Sequence, residues 1–134
     1  MSTVKRVIPL LVYKDIAAAH DFLVKTFGFE AGGVERNDEG RAIHGEVRAG
    51  NTTIWLHRVT AEHELDYSTA MESSGLVVFV DNVDEHYKRV RASDAHIDSE
   101  LQDMPYGQRE YGVHDIEGHR WWFATPLSAQ AEAS

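Results

Sequence analysis

Residues 105–126 read PYGQREYGVHDIEGHRWWFATP, and the rest of the chain is organised around them. Arg109–His114 and His119–Thr125 have strand character, and Asp115-Ile116-Glu117-Gly118 between them has the Asp and Gly that a tight reversal requires. A β-hairpin is therefore expected. Trp121, Trp122 and Phe123 are consecutive, and side chains alternate across a strand, so Trp122 must point away from the face shared by Trp121 and Phe123. One face can pack beneath a helix. The other needs a pocket, a partner subunit or both.

The order of elements occurs twice along the chain. Lys5–Tyr13 (KRVIPLLVY) reads as a buried strand interrupted by Pro9, which places that strand at an edge, a bulge or a subunit crossing. Asp15 is an N-cap, the apolar positions from Ile16 to Phe27 have helical spacing, and Gly28 is a stop. Phe29–Val34, Arg41–Arg48 and Thr52–Val59 follow as strands, separated by turns at Asn37–Gly40 and Gly50-Asn51. The second cycle has a strand at Gly75–Val80, a helix over Asp81–Ala92, a strand at Asp98–Leu101 and the hairpin. An offset of 67 residues superposes Ile16 on Val83 and Trp55 on Trp122. Residues 60–74, acidic and without periodicity, read as a linker or lid, and 128–134 as a frayed tail. The expectation is a single domain over 1–134, with one module at 4–59 and a second at 75–127.

Composition narrows the function classes. The chain has 134 residues, 43% of them hydrophobic, and no cysteine, which excludes disulfides, a zinc–thiolate site and a cysteine nucleophile. Its formal charge of −9 repels phosphate backbones and attracts cationic small molecules, so nucleic acid is not an expected partner. No apolar run is long enough to cross a bilayer, and the first residues lack the apolar core of an export signal; no membrane association and a cytoplasmic location are expected. Nucleophile-elbow, phosphate-loop and dinucleotide motifs are absent.

Two stretches carry a family resemblance. Residues 8–30 (IPLLVYKDIAAAHDFLVKTFGFE) resemble the opening of the vicinal oxygen chelate superfamily, and residues 105–123 resemble the PWG-REF-DPxGN-xxxF ending of bleomycin-resistance proteins and their glyoxalase-like relatives. Ile116, His119 and Tyr106 depart from that ending, where proline, asparagine and tryptophan are usual. The resemblance implies an α+β fold of tandem βαβββ modules forming a curved mixed sheet with a concave cleft. It also implies a homodimer, with Pro9 at the hinge proline. In metal-dependent members each module supplies two ligands, and the matching positions here are Ile8, Trp55, Leu76 and Trp122. None carries a donor for a divalent ion, so no metal and no cofactor are expected there. Arg109 and Glu110 form the family's Arg-Glu pair, read as a cross-strand ion pair.

Three functional readings remain. The first is a metal-free binding protein that sequesters an aromatic, cationic antibiotic or metabolite. Trp55, Trp122 and Tyr106 would stack on it, Ile8, Leu10, Leu76 and Val78 would wall it, and His57 would orient it, with Glu62, Glu64, Asp66 and Glu72 attracting charge. The second is a metal-dependent lyase, isomerase or dioxygenase with relocated ligands, for which His44, Glu46 and His57 are a conceivable set. The third is a structural module whose tryptophans are dimer core. His20, His86 and His96, on or after helices, are expected at the solvated surface, and His114 and His119 flank the hairpin turn.

Overall fold

The computed structural model describes residues 2–60 and 74–127, within two compact units, Met1–Leu65 and Asp66–Ser134. The acidic stretch with Glu62, Glu64, Asp66 and Glu72, and the tail at 128–134, lie outside the described residues.

The first unit contains β1 (Leu10–Tyr13), α1 (Ile16–Lys25), β2 (Glu30–Arg36), β3 (Ala42–Ala49) and β4 (Thr52–Arg58), with sheet order β1-β4-β3-β2. β1 runs parallel to β4, and the other pairs are antiparallel. Asp15 caps α1 by accepting from the Ala18 N–H at 3.0 Å. The helix buries Ile16, Ala19 and Leu23 on the face of the sheet that carries Val47, Ile54 and Leu56. β1 is shorter than the nine-residue strand expected. Its ladder starts where Trp55 N–H donates to the Pro9 carbonyl, and the residues before Pro9 are outside the sheet, with Val4 and Val7 exposed. Proline has no N–H to continue the ladder, and it stands as expected at the edge strand.

The second unit repeats this plan with β5 (Gly75–Phe79), α2 (Val83–Arg91), β6 (Ile97–Met104), β7 (Gln108–His114) and β8 (Arg120–Pro126), in sheet order β5-β8-β7-β6. Here α2 starts two residues later than read, because Asn82 rather than an earlier residue caps it, through the Glu85 N–H at 3.2 Å. Its Val83 and Val90 are buried with Tyr111, Val113, Trp121 and Phe123. The 67-residue repeat is visible in the parallel pairs: Leu10 stands beside Trp55 and Val77 beside Trp122.

The hairpin between β7 and β8 closes as its sequence requires. Asp115 Oδ1 accepts from the N–H groups of Glu117 and His119, both at 3.1 Å, and Gly118 has φ 95°. Asp115 Oδ2 accepts from the indole N–H of Trp121 at 3.1 Å, which ties the turn to the core.

Candidate functional site

Each sheet has one face under its helix and a second, helix-free face on which the candidate residues fall. In β8, Trp121 and Phe123 are fully buried on the helix side and Trp122 is half-buried on the other. Its neighbours there are Gly112 on β7 and, on β5, Gly75 and Val77. A Cβ on Gly75 would lie 2.4 Å from Trp122 Cζ3, and one on Gly112 would lie 3.1 Å from Trp122 Nε1. The indole therefore lies across the sheet, in a trough made by two residues without side chains. The Arg120 guanidinium carbon sits 5.1 Å from the Trp122 ring centroid, a cation–π contact.

Tyr106 is exposed in the β6–β7 turn, and its hydroxyl donates to Glu110 Oε1, which also accepts from Gln108 Nε2 at 2.9 Å. The bond to Glu110 is the largest cause that pushes the Tyr106 hydroxyl above its ordinary range. Glu110 alternates with Gly112 on β7 and so shares the Trp122 face. Arg109, on the opposite face, is not paired with Glu110. It bonds Asp103 on β6 at 2.6 Å and reaches Asp84 on α2 at 3.2 Å, so the cross-strand ion pair exists with a different acid.

In the first unit the helix-free face carries Trp55 and His57 from β4 with His44 and Glu46 from β3. The Trp55 and His57 rings are parallel, with centroids 6.0 Å apart, and His44 approaches both edge-on at 5.4 and 5.1 Å. His44 Nε2 stands 3.3 Å from Glu46 Oε1. Leu10 is exposed beside Trp55, and Ile8, half-buried, precedes the strand.

Two wall residues require correction. Leu76 pairs with Trp121 and Val78 with Phe123, so both face the helix and not Trp122. The residues on the Trp122 face of β5 are Gly75, Val77 and Phe79, the last two 54% and 59% exposed. Applying the 67-residue offset to Leu10 finds Val77, and to Ile8 finds Gly75; Leu76 and Val78 each stand one residue further on, which in a strand reverses the face. Gly75, Gly112 and Arg120 had no motif to mark them. His86 also departs from its expected solvated place: its ring stacks on Phe123 at 4.1 Å and its Nδ1 is 2.6 Å from the Tyr111 hydroxyl.

Metal chemistry at the superfamily's coordinating positions finds no support in these side chains. Ile8, Trp55 and Trp122 have no donor, and neither Gly75 nor Val77 supplies one in place of Leu76. Among the described residues, the one group of three histidine or carboxylate donors whose ligand atoms all lie within 4.8 Å is His96, Asp98 and His114; His44, Glu46 and His57 do not converge as closely.

Known proteins share this architecture. TioX from a Micromonospora species superposes with a TM-score of 0.73 at 31% identity, over 93% of this chain and 98% of TioX. TnmS3 from a Streptomyces species, an antibiotic binding protein, superposes with a TM-score of 0.69 at 19% identity, over 93% of this chain and 99% of its own. An uncharacterized protein of Mycobacterium tuberculosis is 29% identical over 124 residues, which cover 89% of this chain and 73% of the relative. The family model for the Glyoxalase/Bleomycin resistance protein/Dioxygenase superfamily matches residues 5–123, nearly the whole of both βαβββ modules, and to that superfamily the chain belongs.

Proposed function

We propose that this protein binds a flat, aromatic, cationic small molecule, an antibiotic or a metabolite, and acts by holding it. The reading rests on one observation above the others: the Trp122 indole laid across Gly75 and Gly112 with a guanidinium against its ring. Arg120 stands in for the ligand here, because a planar cation is the species that the ring already accepts. A ligand would take the place of Arg120 on that ring or stack beside it, and Val77 and Phe79 would add apolar contact. Glu110 supplies negative charge on the same face, and the two donors bonded to it, Tyr106 and Gln108, are neutral. Trp55, with His57 parallel to it, is the stacking pair of the first unit. TnmS3 shows that the fold serves antibiotic binding elsewhere.

The protein works as a cytoplasmic homodimer in this proposal. Val4 and Val7, left exposed in the segment before β1, are apolar surface that a second copy would cover. Among the described residues, no helix is long and apolar enough to cross a membrane. The test is tryptophan fluorescence of the tag-free protein against a panel of planar antibiotics, cationic and neutral. Saturable quenching by cationic members, lost on Trp122→Ala, supports the proposal. Equal response to neutral members, or none to any, refutes it.

A further inference from the structure

We propose that His96, Asp98 and His114 form a site for one divalent first-row transition-metal ion, on the helix-free face of the second sheet and apart from the superfamily's coordinating positions. The three side chains come from the start of β6 and the end of β7. His114 N–H donates to the His96 carbonyl at 3.0 Å, which sets the two histidines opposite each other, with rings 5.3 Å apart and nearly perpendicular at 87°. Ile97 pairs with Val113 and Ser99 with Gly112, so Asp98 is the extra residue of a β-bulge. A bulge re-aims a side chain, and here it turns the carboxylate towards both imidazoles. Asp98 Oδ1 lies 2.5 Å from His114 Nδ1 and 3.5 Å from His96 Nε2.

A second observation makes this more than a surface cluster. The Asp98 side chain is only 14% exposed, and its Oδ2 is buried without a hydrogen bond. A buried carboxylate oxygen without a donor is costly, and a cation satisfies it. Two imidazoles and one carboxylate suit zinc, iron, cobalt or nickel, and they leave room for water or a ligand heteroatom. Donors about 2.0–2.1 Å from such an ion stand about 3.0–3.5 Å from one another, so the Asp98–His114 gap must open slightly. His96, whose side chain is 75% exposed, is free to swing inward. The nearest cation across the ladder, Arg120 opposite His114, is directed onto Trp122.

The experiment is calorimetric titration of tag-free, chelator-washed protein with Zn²⁺ at about pH 7. Circular dichroism checks each variant's fold. One ion per chain is expected, with affinity rising as pH rises because the imidazoles must release protons to bind. Changing a residue that merely orients a ligand costs about 10–100-fold in metal affinity, so His96→Ala and Asp98→Asn should each weaken binding by about 100-fold or more. His44→Ala should leave it unchanged. Since His96 is exposed, His96→Ala decides the matter even where Asp98→Asn fails to fold. Weak binding, a stoichiometry other than one, retention in His96→Ala, or loss in His44→Ala would each overturn the site.

Discussion

Trp121→Ala is the change that most sharply separates the two faces of β8. The Trp121 side chain is fully buried on the helix side with Phe123, Tyr111 and Val113, and its rings lie parallel to Phe123 at 6.5 Å. Removing a sealed indole costs about 3–5 kcal/mol in lost transfer energy and residual cavity. The change also removes the indole N–H that donates to Asp115 Oδ2, in the turn that registers β7 against β8, which adds about 1 kcal/mol or more. For a chain of this length, 1 kcal/mol moves the melting temperature by about 4 °C, so the variant should melt about 16–24 °C below the wild type. Trp121→Phe keeps most of the packing and loses the N–H, so it should fall between them. Trp122→Ala, on a face without a helix, leaves an open groove in place of a cavity and should cost about 1 kcal/mol. Denaturant unfolding followed by circular dichroism gives all three values. Equal destabilisation by Trp121→Ala and Trp122→Ala would refute the assignment of one face to the core and the other to ligand.

Other consequences follow from the same geometry. Gly75→Ala should cost about 1–3 kcal/mol, because its Cβ meets Trp122 Cζ3 at 2.4 Å and the Arg120 carbonyl oxygen at 2.9 Å; in a Trp122→Ala background the cost should shrink, and a double-mutant cycle on thermal melts reads the coupling. Asp103 is held below the ordinary 3.8 by its hydrogen bond from Arg109. Its contribution is therefore present above that value and lost as pH falls through the lower folded one, so melts across pH should show wild type and Asp103→Asn differing at about pH 6 and converging as the pH falls below the folded value. Light scattering at micromolar concentration should give about twice 15.1 kDa, and a clean monomer would remove the dimer.

Most of the fold was legible because its signals are local. The Asp115–Gly118 turn, the Asp15 cap and the consecutive aromatics of β8 each dictate a conformation through their own side chains, and the internal repeat carried the pattern from one module to the other. The site was less legible, since it depends on register. The family resemblance places Leu76 at a cleft position with Val78 beside it, and a shift of one residue puts Val77 and Phe79 on the Trp122 face instead. Gly75 and Gly112 matter for what they lack, and their meaning appears only once the Trp122 indole is placed between them. The bulge at Asp98, which gathers His96 and His114, depends on the pairing of β6 with β7 and leaves no mark on hydrophobic periodicity.

The ligand proposed for the helix-free face around Trp122 is planar and cationic. The most direct test is the dissociation constant of one such ligand, measured by equilibrium dialysis for wild type, Trp122→Ala and Trp121→Phe. Stacking contributes about 0.5–1.5 kcal/mol beyond area burial and every 1.4 kcal/mol is tenfold, so Trp122→Ala should weaken binding by about tenfold or more, while folded Trp121→Phe binds as the wild type does. Unchanged affinity in Trp122→Ala would place the ligand away from this face.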